Sequence, residues 1–265
     1  MGNEEPPWFV HSDLLRALPL IASPNRNPDL LVKQQIAFLR AIANGAPIWM
    51  PAYNYGFPQT RNFDVSDDPS EVGILTERFR VQEATWRSWV PIFSVSGEGG
   101  APFNNLRSGQ VIDPFGEESS LARLCELNGK YVFFGAPLSS LTLIHLAESK
   151  SGSLTYRYTK TVSGEVTLPE GRIPVTLRWH VRPRGLALDY DWERLESDLT
   201  FEGLLQPIAG YPSLRQADAR QTLGWLISQL HEDPLYLLDM QSRRSASQIL
   251  DRLGRPFAIE DFESP

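Results

Sequence analysis

The sequence predicts an α/β protein, a single mixed-sheet domain over residues 8–265 flanked by helices. Three observations predict it. Apolar runs of strand length alternate along the chain with longer segments of helical apolar period. A hydrophobic content of 42% with 11% aromatics over 265 residues suffices to bury a large core, and a charged fraction of 22% argues against extended disorder. Neither an internal repeat nor a low-complexity linker divides the chain.

Residues 1–7 are acidic and proline-containing and are expected to be flexible; they carry neither the basic region nor the apolar stretch of a leader. Trp8 to Val10 reads as a strand, and His11-Ser12-Asp13 after it offers side-chain oxygens for a helix N-cap. From Pro28 to Ala43 a helical period runs through Leu30, Leu31, Ile36, Leu39 and Ile42 and stops at Asn44-Gly45. Pro47 to Tyr53 is a buried strand. Asn54 to Pro69, rich in Asn, Asp and Pro, is an irregular segment of the kind that forms binding loops or plain surface coil. Gly73 to Arg80 reads as a helix, Ser88 to Ser96 as a strand and Gly97 to Pro102 as a loop. Ser119 to Leu127 is a short helix closed by Asn128-Gly129, Lys130 to Phe134 an apolar strand, and Leu141 to Lys150 a helix. Strand signals dominate from Leu154 to Leu188: Thr155 to Tyr158 alternates, and Val175 to Val181 comes after a turn at Pro169 to Arg172. Trp192 to Leu199 and Ala217 to Leu230 read as helices, Leu235 to Leu238 as a short docking strand, and Ser245 to Leu253 as a last amphipathic helix.

Charge and composition exclude several functions. The net charge is −7 and no dense Lys/Arg run exists, which argues against nucleic-acid binding. An acidic balance suits a cationic substrate such as a polyamine or amino sugar, and equally suits ordinary solubility. The single cysteine, Cys125, allows neither an intramolecular disulfide nor a thiolate metal cluster, and no His/Asp/Glu group has ligand spacing, so no metal is expected. Apolar runs fall short of the roughly 18–20 residues that span a bilayer, so a cytoplasmic protein without membrane insertion is expected. Whether the chain forms a homodimer is left open.

Chemistry concentrates between Gly135 and Glu148. An apolar strand ends at Gly135, turns through Pro137 and Ser139-Ser140, and enters a helix. Such crossings place polar side chains and free backbone N–H groups at the mouth of a site. His145 and Glu148, three apart, share a helix face. An imidazole here is either a catalytic base or a satisfied core histidine.

This segment, with Thr142, His145, Ala147 and Glu148 in order, resembles the aminoglycoside 3-N-acetyltransferase family. Further matches are colinear: Val10-His11-Ser12 with Leu14; Trp49 to Tyr53; Phe63-Asp64, Pro69-Ser70, Gly73, Leu75, Glu77 and Phe79-Arg80; Arg87-Ser88, Pro91, Ser94 and Gly99; Pro114 to Gly116, Leu121, Leu124 and Leu127 to Lys130. The likeness is dense over residues 8–150 and thinner beyond, where it includes Leu188 to Tyr190. It implies that family's fold, distinct from the GNAT fold. It also implies an acyltransferase that moves an acetyl group from acetyl-CoA, a co-substrate, to an amine of an aminoglycoside or related amino sugar. Antibiotic resistance is the corresponding role.

By the same resemblance, His145 is the general base and Glu148 either orients it or anchors the substrate ammonium. Ser12, Arg87, Ser88 and Ser94 fall where coenzyme A is contacted, Arg87 as a charged fork for the diphosphate, and Asp64 and Thr142 join Glu148 as substrate contacts. One departure stands out: Val90-Pro91 replaces the family's His-Pro, and an apolar residue neither donates nor accepts there. The family's Gly-Gly approach to the first helix is also lacking. Both changes unsettle the substrate more than the reaction, which keeps open an N-acyltransferase of surface-polysaccharide amino-sugar synthesis or a non-catalytic amino-sugar-binding homologue.

Other signals carry less. Arg182 to Ala187 fits the loose R-x-x-G-x-A pyrophosphate pattern, but that loop must open a helix, whereas Leu186 to Tyr190 reads as strand. Cys125 reads as a buried structural thiol, and Ser94 and Ser96 lack the glycine spacing of a nucleophile elbow. His180 and His231 read as structural. Asp64, Asp67, Asp68 and Glu71 form either an ammonium-binding cleft or a solvated acidic loop.

Overall fold

The computed structural model describes residues 5–101 and 103–263. Residues 1–4, most of the segment expected to be flexible, and Pro102 of the Gly/Pro loop lie outside them. Pro7, also expected in that segment, is instead buried, and its carbonyl accepts a hydrogen bond from Lys130 N at 2.9 Å.

In chain order the strands are β1 (Trp8–Ser12), β2 (Ile48–Pro51), β3 (Asn62–Asp64), β4 (Trp86–Arg87), β5 (Val95–Gly97), β6 (Gln110–Ile112), β7 (Lys130–Phe134), β8 (Tyr158–Leu168), β9 (Gly171–Val181), β10 (Leu205–Ile208) and β11 (Tyr211–Asp218). The helices are α1 (Pro28–Ala43), α2 (Phe57–Thr60), α3 (Ile74–Gln82), α4 (Ser120–Glu126), α5 (Leu143–Ser151), α6 (Trp192–Phe201), α7 (Ala219–Glu232) and α8 (Met240–Leu253). None is long and apolar enough to cross a membrane.

Seven strands form a mixed sheet in the order β10-β11-β7-β1-β2-β5-β4. β1 is central and parallel to both β7 and β2; the outer pairs run antiparallel. Because strand side chains alternate, the continuous apolar runs of β1 and β7 serve two cores. Phe9, Tyr131 and Phe133 pack with Leu143, Leu146 and Leu226 of α5 and α7, while Trp8, Val10, Val132 and Phe134 pack with Ile36, Leu39 and Phe79 of α1 and α3. Burying each large side chain contributes roughly 1.5–3 kcal/mol, which is why these strands are legible from sequence. α1 begins and ends as its residues dictate. The Asn27 side chain accepts from Asp29 N and Leu30 N, and Asn44 closes the helix at φ 50°.

Several expectations are corrected. The strands expected between Leu154 and Leu188 form the β8–β9 hairpin, which joins β3 and β6 in a separate four-stranded sheet, β3-β8-β9-β6. Asn54 to Pro69 is not wholly irregular, since it supplies α2 and β3, the latter parallel to β8. Ser88 to Ser96 is not one strand. Pro91 brings no N–H to a ladder and Ile92 adopts φ 67°, so the chain reverses between β4 and β5. Ser12 ends β1 rather than capping a helix; Asp13 Oδ1 accepts from Leu15 N and Arg16 N at 3.0 Å each and holds a tight turn. Leu235 to Leu238 is a turn with a single bridge, Tyr190 to Leu238. β10 and β11 carry few buried residues, too few to alternate visibly in the sequence.

Candidate active site

β7 delivers the chain to Gly135, which has φ 72°. A Cβ at this position would lie 2.6 Å from Ala17 N and 2.7 Å from Asp13 O, so glycine is required by both conformation and space. A short 3-10 turn, Leu138–Ser140, then leads into α5. Leu143, Ile144, Leu146 and Ala147 are buried, which fixes the helix rotation and presents His145 and Glu148 together on the remaining face.

Glu148 is only 2% exposed, and both of its oxygens are engaged. Oε2 faces His145 Nδ1 at 3.1 Å. Oε1 accepts from Tyr156 Oη at 2.7 Å, Tyr190 Oη at 2.7 Å and Arg157 Nε at 3.1 Å, while a second Arg157 nitrogen donates to Tyr190 Oη. Burial opposes ionisation of this carboxyl, but Arg157, His145 and Tyr156 overcome it and hold the pKa down at about 2. Hydrogen bonds to a charged group contribute about 1.5–3 kcal/mol each, enough together to offset the several kcal/mol that burying the carboxylate costs. Glu148 is thus buried with both oxygens engaged by protein donors, three of them on Oε1, which counts against its expected role as an anchor for a substrate ammonium. Burial pushes the His145 pKa down, Glu148 pulls it up, and Arg157 adds to the lowering; the net shift is below the ordinary 6.5. The carboxylate fixes the neutral tautomer, with N–H at Nδ1 and the lone pair at Nε2.

His145 forms part of the wall of a cavity of about 320 Å³, shared with Phe93, Phe115, Arg157, Trp179, His180 and Arg182. Tyr156, Arg157 and Tyr190 escape sequence reading as partners of Glu148. They lie 8, 9 and 42 positions from it, and only packing of the β8 entry and the α6 approach against α5 gathers them. His180, expected to be structural, lines this cavity at the end of β9.

The other expected site residues sit elsewhere. Arg87 is turned inward: Nε donates to Ser94 Oγ at 3.1 Å, Nη1 to Val65 O at 3.1 Å and Asp68 O at 2.5 Å, and Nη2 to Ala52 O at 2.8 Å. Its guanidinium lies 4.8 Å from the Phe63 ring centroid, and burial pushes its pKa down to about 10. With these donors committed, Arg87 is an internal tie between the end of β2 and the loop after β3, not a fork for a diphosphate. Ser94 Oγ donates to Ala52 O and Ser88 Oγ accepts from Val95 N; both serines are fully buried and neither lines the cavity. Asp64 Oδ1 accepts from Ser66 N and Asp67 N and caps a turn away from His145. Thr142 Oγ1 is buried facing the phenols of Tyr53 and Tyr131 without a well-formed hydrogen bond to either. Ser12 is half-buried beside Gly135 at the strand end, and its hydroxyl makes no hydrogen bond among the described residues.

Val90 is buried among Phe57, Phe63, Ile92 and Trp179, so the residue at the position of the expected histidine belongs to the core of the small sheet. Cys125 is buried, its thiol pushed up to about 12 by burial, and His231 Nε2 meets Ser151 O at 2.9 Å. No helix begins after Gly185 until Trp192, so Arg182 to Ala187 is no pyrophosphate loop.

The central β-sheet with flanking helices, the glycine-kinked strand end and the imidazole–carboxylate pair at a cavity wall together define an α/β protein with a candidate site at the start of α5. The family model for aminoglycoside 3-N-acetyltransferase matches residues 42–223, and the chain belongs to that family. It is 30% identical over 128 residues to aminoglycoside N(3)-acetyltransferase VIII of Streptomyces fradiae, a match that spans 46% of this chain and 44% of that protein. To aminoglycoside N(3)-acetyltransferase VII of Streptomyces paromomycinus it is 38% identical over 77 residues, 29% of this chain and 27% of that one. The matched stretches thus span less than half the length of these relatives. Among solved structures, the fold is similar to AAC-IIIb bound to CoASH (TM-score 0.65, 22% identity, 85% of this chain and 90% of that one) and to the YokD protein from Bacillus subtilis (TM-score 0.61, 16% identity, 88% and 90%).

Proposed function

We propose that this protein is an acetyl-CoA-dependent N-acetyltransferase acting on an amine of an aminoglycoside or related amino sugar, with His145 as the general base. The observation that carries the reading is the His145–Glu148 contact. A buried carboxylate with its pKa held down at about 2 faces Nδ1, and His145 lines a cavity; a carboxylate can only accept from Nδ1, so the lone pair is left to Nε2. Family membership and the CoASH complex of a fold relative support the choice of donor. A cavity of about 320 Å³ accommodates the reacting ends, a thioester and an amine, while the rest of each substrate extends outward. Ser12, unpartnered beside Gly135, is the one expected coenzyme contact that stays free to serve as such.

The amine nitrogen attacks the thioester carbonyl carbon, forming an N–C bond as its proton passes to His145 Nε2. Collapse breaks the C–S bond, the pair leaves with sulfur, and the imidazolium returns the proton to the thiolate. Products are an acetamide, coenzyme A thiol and neutral His145. The depressed pKa of His145 keeps the imidazole unprotonated at neutral pH, the state a base requires. Glu148 acts through His145 and is a positioning residue. His145→Ala is expected to keep the fold and coenzyme binding and to lower transfer about 10²–10⁴-fold, read as thiol release from acetyl-CoA with a panel of aminoglycosides and amino sugars. Transfer within a few-fold of wild type refutes the assignment.

A further inference from the structure

The cavity beside His145 has the wrong charge for a purely cationic ligand. Arg157 and Arg182 line it together with His180, and no carboxylate lines it among the described residues. Glu148 lies behind this wall with both oxygens occupied, and it balances Arg157. Arg182 has a weaker counter-ion. Asp189, 76% exposed, approaches it no closer than 3.9 Å, and its guanidinium makes no hydrogen bond among the described residues. That guanidinium instead lies over the Tyr190 ring, 4.8 Å from its centroid, a cation–π contact that spends none of its N–H groups. Arg157 packs against the same ring at 5.7 Å, and its Nη1 has no hydrogen-bond partner among the described residues. His180, near the end of β9, and Arg182, the residue just after it, both line the cavity. His180 Nδ1 is 3.4 Å from Thr159 Oγ1; burial lowers the pKa of its ring, and the charges of Asp113 and Glu148 oppose that lowering.

We propose that Arg182, with the free edge of Arg157 and the His180 ring, forms an anion subsite beside the base, which takes a phosphate or carboxylate group carried by one of the two substrates. Two guanidinium groups anchored on one tyrosine suit the planar, forked recognition of such oxygens. An ammonium at this position meets two like charges. If the anion belongs to the acceptor, the amine is an acidic or phosphate-bearing amino sugar rather than a polycation. If it belongs to the donor, it is a phosphate of coenzyme A. The choice of substrates rests on the acetyltransferase reading above, whereas binding of an anion at this place does not.

The test measures binding, so it does not require turnover. Inorganic phosphate, coenzyme A, glucosamine and glucosamine 6-phosphate are titrated calorimetrically into wild type, Arg182→Gln and Arg182→Lys, with thermal melting as the check on folding. Arg182→Gln is expected to weaken binding about 10–100-fold, the worth of one charged hydrogen bond, and Arg182→Lys is expected to recover part of it. Loss confined to glucosamine 6-phosphate places the anion on the acceptor, and loss confined to coenzyme A places it on the donor. Equal affinity of wild type and a folded Arg182→Gln for all four probes overturns the subsite. Anion binding lost in Arg182→Gln while wild type transfers no acetyl group would leave the subsite standing and remove the acetyltransferase reading alone.

Discussion

Glu148→Gln isolates what the carboxylate contributes, because glutamine is nearly isosteric and can keep most of the geometry. Tyr156, Tyr190 and Arg157 all donate to Oε1, so the amide oxygen must occupy that side. The amide nitrogen then faces His145 Nδ1 and can only donate to it. Nδ1 must become the acceptor, the imidazole proton moves to Nε2, and no lone pair faces the cavity. The lesion is thus the wrong tautomer, and the rate should fall as far as when the base is removed, about 10²–10⁴-fold, or roughly 3–5 kcal/mol of barrier at about 1.36 kcal/mol per tenfold. Stability should fall as well. Arg157 would be left buried without its anion, a change worth about 3 kcal/mol, or a melting point lowered by roughly 6–12 °C in a chain of this length. Thiol release from acetyl-CoA, measured at about 15 °C to stay below that transition, gives kcat/KM for both proteins. A folded Glu148→Gln protein retaining kcat/KM within fivefold of wild type would refute the tautomer argument.

Two other outcomes are expected. His11 is buried between β7 side chains with its ring stacked on Tyr131, and burial alone lowers its pKa to about 3. Its folded pKa lies below the unfolded value near 6.5, so the unfolded chain binds the extra proton as pH falls. Its stabilising effect is complete above about pH 6.5 and is lost progressively toward pH 3. His11→Phe should flatten the melting-temperature profile between about pH 6.5 and 4, and an unchanged slope in that window would contradict the assignment. Arg87→Gln should destabilise the protein by about 2–4 kcal/mol, since four acceptors lose a charged donor. Coenzyme A affinity measured by calorimetry should remain within about twofold; a tenfold loss would return Arg87 to the coenzyme site.

The legibility of this chain depends on the range of the forces involved. Segments whose burial is periodic and complete were readable: α1, β1, β7 and α5 match their apolar spacing within a few residues. Gly135, His145 and Glu148 were readable too, because a turn and a three-residue helical spacing are local. The residues around Arg87 misled because a guanidinium between strands looks the same in sequence whether it faces a ligand or, as here, three backbone carbonyls and a serine hydroxyl. Val90 misled in a similar way, since an apolar side chain at a family histidine position says nothing of the Phe57–Trp179 core that receives it.

By itself, then, the sequence determined the α/β class, the apolar strands that build the central sheet, and a histidine and a glutamate placed on one helix face. Only the tertiary structure decided what those two residues can do. Tyr156, Arg157 and Tyr190 reach Glu148 from 8, 9 and 42 positions away and engage its Oε1, leaving Oε2 to face His145. The same packing brings Arg182 to the cavity of His145. Charge balance in a buried site depends on distances across the fold, and linear spacing encodes only those within a turn or two of one element.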